Sequence, residues 1–105
     1  MDKDTVLKIL SSFRSTLENR GIKVAKLILF GSYATDKYRE GSDIDVVVIS
    51  DGFKGKDYWE RTEILSDAIY AVFQPIEAIA LTQEEWEGGE SVVAEYAKAG
   101  EVVCD

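Results

Sequence analysis

Val6, Leu10, Phe13 and Leu17 recur at helical spacing, with mostly polar residues between them. This is the period of an amphipathic helix, with Asp4 available as its cap and Gly21 after Arg20 as its stop. The pattern then shortens. "AKLILF", Ala25 to Phe30, is too brief for a helix and is broken at Gly31, which predicts a buried strand. Ser32 to about Tyr38 has moderate helical character, "REGSD" is turn-like, and "IDVVVIS", Ile44 to Ser50, has the β-branched content of a central strand. "DGFKGK" predicts a loop. Asp57 followed three residues later by Glu60 resembles a capping box, and Trp59, Ile64, Leu65, Ala68, Ile69 and Val72 form one helical face up to the break at Pro75. "IEAIAL", Ile76 to Leu81, predicts a third strand. Thr82 with Glu85 offers another helix start, Gly88-Gly89 interrupts, Ser91 to Ala99 predicts a last helix before Gly100, and "EVVC" predicts a short closing strand.

The element order α, β, short α, β, α, β, α with a terminal β predicts an α/β (α+β) fold, one small mixed sheet flanked by helices. No repeat, low-complexity segment or linker interrupts it, so residues 1-105 read as one domain. Twenty acidic against twelve basic residues give a net charge of -8, which argues against duplex nucleic acid as a ligand. No apolar run approaches the roughly 20 residues a membrane span needs. The start "MDKDTVLKIL" lacks the basic and apolar regions of a signal peptide, so the expected location is the cytoplasm. Cys104 is the only cysteine and there is no histidine, which removes intramolecular disulfides, the usual zinc sites and histidine-based triads. The chemistry left is that of carboxylates, hydroxyls, Lys, Arg, backbone amides and a hard metal ion.

Asp43 and Asp45 stand at the mouth of the Ile44 to Ser50 run, where alternation puts both on one face and Ile44 on the other. Two close carboxylates repel, and one pKa rises unless a cation sits between them; paired oxygen ligands suit Mg²⁺. Taken alone, a D-x-D at a strand mouth is more often a pair of solvated charges. Gly31-Ser32, however, follows the preceding strand at its end, where backbone amides and a hydroxyl suit a phosphate. The combination is far more specific than either half. Glu77 is the only acid inside "IEAIAL", and a carboxylate in a buried strand is costly without a role.

Gly-Ser, ten residues, then Asp-x-Asp resembles the signature of the polymerase-beta-like nucleotidyltransferases, in their minimal form; "ISDGFKGKDYWER" and "IEAIALTQEEWE" extend the likeness over most of the chain. The resemblance implies that Gly31, Ser32 and Ser42 bind the nucleotide. It implies that Asp43, Asp45 and Glu77 form the catalytic, metal-binding set for two Mg²⁺ ions, with ATP as substrate. Many relatives carry Arg-Gly where this chain has Thr35 and Asp36, which leaves Lys37 or Arg39 as the nearby cation. The same resemblance implies a partner, a HEPN-domain ribonuclease toxin, with this chain as a type VII-like antitoxin that transfers AMP to a toxin tyrosine. A homo- or hetero-oligomer is compatible with that.

Rival motifs fail on spacing. "GFKGK" lacks the spacers and the Ser or Thr of a Walker loop, and "SDIDVVV" lacks the glycine and late Glu of a calcium loop. Glycosyltransferases with a D-x-D need a much larger domain. Tyr33 could stack on a base or pack against the first helix, and Trp59 and Trp86 read as core or partner-interface residues. Two functions from different classes follow: a Mg²⁺-dependent nucleotidyltransferase, or a catalytically weak or inactive, binding-only antitoxin or regulatory subunit that keeps the fold.

Overall fold

A computed structural model describes residues 1-88 and 92-104. Helix α1 (Lys3–Asn19) buries Val6, Ile9, Leu10, Phe13 and Leu17, the predicted stripe with Ile9 added. Its cap is Asp2 rather than Asp4: the Asp2 carboxylate accepts from the Thr5 amide at 2.8 Å. Asp4 falls in the first turn instead, where a negative charge still suits the helix dipole. Strand β1 (Lys26–Phe30) follows and ends in a single 3-10 turn, Gly31–Tyr33. The helix expected from Ser32 to about Tyr38 does not extend further. Thr35 turns its hydroxyl back onto the carbonyls of Gly31 (3.3 Å) and Ser32 (3.4 Å), and Asp36 at φ 58° leaves the helical region.

Strand β2 (Ile44–Ile49) leads into a second 3-10 turn, Asp51–Phe53, where only a loop was expected. Phe53 is fully buried, and the buried Ser50 hydroxyl fixes the turn by accepting from the Gly52 amide (3.0 Å) and donating to the Lys23 carbonyl (2.6 Å). Helix α2 (Tyr58–Val72) opens with the full reciprocal capping box of Asp57 and Glu60. Trp59 does not join its buried face and is 75% exposed.

Strand β3 (Ile76–Leu81) follows, then the short helices α3 (Gln83–Gly88) and α4 (Val92–Ala97) and strand β4 (Glu101–Cys104). The Thr82 hydroxyl accepts from the Glu85 amide (3.1 Å) and the Glu85 carboxylate from the Thr82 amide (2.7 Å), so the predicted start of α3 is also a reciprocal cap. Gly89 and Ser91, part of the predicted interruption and last helix, lie outside the described residues.

The sheet runs β3-β2-β1-β4 among the described residues, with β1 antiparallel to β2 and β4, and β2 parallel to β3. Leu27, Leu29, Ile44, Val46, Val48 and Ile76 face α1 and α2 in one core. Ile28, Val47, Ile49 and Leu81 face the other way, against Ala94 and Ala97 of α4 and against Trp86. The two sides separate by strand alternation, so the parity of a strand residue decides which core it joins. No described helix is long and apolar enough to cross a membrane.

Candidate functional site

Phe30, Asp45 and Glu77 stand at one level of the sheet: Phe30 pairs with Asp45 across β1 and β2, and Asp45 with Glu77 across β2 and β3. Residues in register on neighbouring strands share a face. Ile44 is fully buried in the core under α1 and α2, so its neighbour Asp45 opens onto the opposite side, that of Val47. The predicted alternation holds. Asp43, just ahead of the strand, is exposed and its charge reaches Asp45.

Glu77 is exposed, although its neighbour Ile76 on the same edge strand is buried on the other face. The burial cost inferred for it from the sequence therefore does not apply. What the fold gives it is a neighbour: its carboxyl hydrogen-bonds that of Asp45. Partial burial, then this hydrogen bond and the charges of Glu77 and Asp43 push the Asp45 carboxyl up to about 6. Two carboxyls can share a hydrogen bond only when one holds a proton. Among the described residues no three carboxylates converge into a closed metal cage; the arrangement is a pair, Asp45 and Glu77, with Asp43 beside it.

Gly31 closes the site from the other side. It has φ 72°, and a Cβ there would run into the Asp45 carboxylate, with Cγ at 3.2 Å. Glycine is required on both counts, by its backbone and by the space. The turn is thus laid directly on the carboxylate, and its leading amides, those of Gly31 and Ser32, have no acceptor within the turn. Beside it lies a cavity of about 480 Å³ lined by Phe30, Gly31, Ser32, Thr35, Lys37 and Gly100 among others. Lys37 is the only cation on that lining, and its backbone amide is anchored on the Ser32 carbonyl at 2.9 Å. Arg39 does not line it. A larger groove, of about 720 Å³, lies elsewhere, around Lys54, Thr82 and Glu85. Its Arg61 is held by Glu85 at 2.7 Å, which keeps the Glu85 carboxyl below its usual range.

The remaining residues singled out from the sequence divide. Ser42 closes the loop ahead of β2, its hydroxyl accepting from the Arg39 amide at 2.9 Å. Tyr33 is 1% exposed, stacked on Tyr38 with ring centroids 4.6 Å apart, so it packs in the core and is not free to take a base. Trp86 is half-buried against the core under α4. The cavity was not visible in the sequence, because it joins residues near 31-37 to the α4–β4 junction, far along the chain.

Asp36, in the position where many of the resembling sequences carry glycine, takes the left-handed conformation that favours glycine. Asp36→Gly is expected to stabilise the protein by about 0.5 to 1 kcal/mol, the relieved strain less the added chain entropy. Urea denaturation checks this; an unchanged or lower midpoint contradicts it.

Residues 7–95 match the family model described as "Nucleotidyltransferase domain". No curated protein sequence gives a match. Among solved structures, a protein of Sulfolobus solfataricus provisionally named a nucleotidyltransferase is similar at TM-score 0.74 and 20% identity, over 95% of this chain and 80% of that one. A chain of a toxin–antitoxin solved with AMP-PNP aligns at TM-score 0.61 and 18% identity, over 99% of this chain and 73% of that one. One from a mutant of the toxin–antitoxin MntA-HpeT gives 0.57 and 18% over the same shares, 99% and 73%. At these identities the likeness to solved structures is one of fold.

Proposed function

The chain belongs to the nucleotidyltransferase domain family, and from that premise we propose that it is a single minimal domain, cytoplasmic, that transfers AMP from ATP to a hydroxyl. The observation that carries this reading is the Gly31 turn laid against Asp45, with Glu77 in register beside it. A phosphate-holding turn and a cluster of acids thereby meet at one point of the sheet. The acceptor we assign is a tyrosine of a HEPN-domain toxin, with this chain as its antitoxin. That assignment draws on the toxin–antitoxin complexes among the structural neighbours and on the resemblance of the motif.

The donor set suits a hard divalent cation, since it is all carboxylate oxygen and the crowding that lifts Asp45 to about 6 is a repulsion such a cation relieves. The pair Asp45 and Glu77, with Asp43 drawn in from beside it, would hold Mg²⁺, which when bound supplies charge neutralisation at the transferred phosphate and its pyrophosphate leaving group. The chain's own groups do the rest. The amides of Gly31 and Ser32 and the Ser32 hydroxyl hold the polyphosphate, with Ser42 keeping the loop ahead of β2 closed. Lys37, on the cavity wall, adds the cation that Thr35 does not provide. The acceptor oxygen bonds to the α-phosphorus as the bond to the pyrophosphate oxygen breaks, and the hydroxyl proton passes to an ionised carboxylate of the Asp45 and Glu77 pair.

Lys37→Ala is expected to raise the KM for ATP about tenfold with kcat changed less than threefold, the value of one charged contact to phosphate. Lys37→Arg should recover most of it. Steady-state kinetics over an ATP series reads both, and an unchanged KM in the alanine variant removes Lys37 from the site.

Two observations favour the binding-only reading: Asp45 and Glu77 are tied to each other, and Thr35 stands where a basic residue is usual and spends its hydroxyl on the backbone. Incubation with labelled ATP, Mg²⁺ and the toxin separates the two. Label transfer that disappears in the Asp43→Ala, Asp45→Ala double variant supports the enzyme; a tight complex with no transfer, indifferent to those substitutions, supports the inactive antitoxin.

A further inference from the structure

Helix α2 buries Leu65 and Ala68 in the core it shares with α1, yet it also carries or adjoins four large aromatic residues that meet nothing of the kind. Tyr58, Trp59, Tyr70 and Phe73 are 70%, 75%, 80% and 82% exposed. They are not scattered. At 3.6 residues per turn Trp59, Glu63, Ser66 and Tyr70 fall along one stripe, with aromatic rings at both ends and polar residues between, and Phe73 caps the helix just past the Tyr70 end. Trp59 and Phe73 are about 20 Å apart along the axis at 1.5 Å per residue. Tyr58 broadens the first end, its ring edge-on to Trp59 at 5.2 Å.

The middle of the stripe is acidic. Glu63 and Asp67 stand four residues apart, a like-charge pair that disfavours the helix by itself. The only basic residue of α2, Arg61, is turned away to Glu85 at 2.7 Å. Asp67 shares a groove with Arg20 and Lys56 but pairs with neither among the described residues. A second copy of the chain is a poor occupant, because a two-fold contact would set Glu63 and Asp67 against acids of a molecule that also carries a net charge of -8. An anionic lipid or nucleic acid meets the same repulsion. Exposed Trp and Tyr at the ends of a charged strip are instead what protein interfaces use as anchors.

We infer that the outward face of α2 docks a protein partner carrying two apolar pockets about 20 Å apart with Lys or Arg between them. This rests on the reading of the chain as one half of a two-protein system, and adds where that half is gripped. Helix α2 lies on the opposite side of the sheet from Asp45 and Glu77, so the grip and the acid site occupy different faces.

The test is calorimetric titration of the purified protein with the HEPN-type toxin proposed above, at two salt concentrations. Trp59→Ser with Tyr70→Ser, and separately Glu63→Lys with Asp67→Lys, are expected to weaken binding at least tenfold, while melting temperature and ATP binding stay at wild-type values. The acidic pair should also account for most of the salt dependence. Affinity within twofold of wild type in both variants overturns this docking face and leaves the two-protein reading intact. Absence of any complex with the wild-type chain overturns both. Sedimentation of the chain alone and flotation with phosphatidylglycerol vesicles complete the set: self-association or vesicle binding abolished by the aromatic substitutions also overturns the proposed partner chemistry.

Discussion

Asp45→Asn is expected to lower nucleotidyl transfer by at least about a thousandfold while making the metal-free protein more stable. The two effects have one cause. Burial and the neighbouring acids hold the Asp45 carboxyl at about 6 against an ordinary 3.8, so its charged form is disfavoured in the folded state. For an acid shifted upward the folded protein binds more protons than the unfolded one between those values. The contribution of Asp45 to stability is therefore most favourable below pH 4, declines as the pH rises from about 4 to about 6, and carries the full penalty above that. The shift of about 2 units would correspond to about 3 kcal/mol if fully buried. The group is only partly buried, and screening by solvent reduces this to about 1 kcal/mol. Asparagine keeps the shape and the hydrogen bond to Glu77 without the charge, so the variant should lack this part of the decline. Urea denaturation of both proteins in chelator, at pH 4.5 and pH 7.5, checks it: the difference should be about 1 kcal/mol at pH 7.5 and smaller at pH 4.5. Adding Mg²⁺ at pH 7.5 should raise the wild-type midpoint and leave the variant nearly where it was. A variant less stable than wild type at pH 7.5 would mean that the carboxylate is solvated and the crowding ineffective.

The elements whose signals are local were legible in advance. The α1 stripe, the β-branched run of β2 and the caps of α2 and α3 each depend on residues within a few positions of one another, and strand alternation alone placed Ile44 and Asp45 on opposite sides. What failed needed the third dimension. Whether Glu77 is buried depends on what covers its face of β3 at that end of the sheet, which no pattern inside "IEAIAL" encodes. Trp59 is the exception: it stands nine positions, two and a half turns, from the buried Ala68, so helical periodicity already puts it on the outward side of α2, where it is exposed. Phe53 looked like a loop residue because its burial comes from a turn fixed by Ser50 and Lys23, 27 positions apart. For the candidate site, Gly31, Ser32, Asp43 and Asp45 were singled out through their spacing, but the contact between Gly31 and Asp45 was not foreseen, because it depends on the pairing of β1 with β2.

That contact sets the second large effect. Gly31→Ala is expected to destabilise the protein by about 2 to 4 kcal/mol and to abolish nucleotide binding. The left-handed backbone at φ 72° accounts for about 1 to 2 kcal/mol in any residue with a Cβ. The rest is the encounter of the new methyl with the Asp45 carboxylate, an overpacking term of about 1 to 2 kcal/mol. A double-mutant cycle separates them. In an Asp45→Ala background the carboxylate is gone, so the same glycine substitution should cost only the backbone part, and the coupling between the two positions should be about 1 to 2 kcal/mol. Chemical denaturation of the four proteins yields the number. A coupling near zero would mean that the turn can swing clear of β2, and the phosphate turn would then not be held on the acids by contact. A coupling of the expected size assigns the glycine two separable tasks: it lets the chain turn at the end of β1, and it leaves room for the Asp45 carboxylate against that turn.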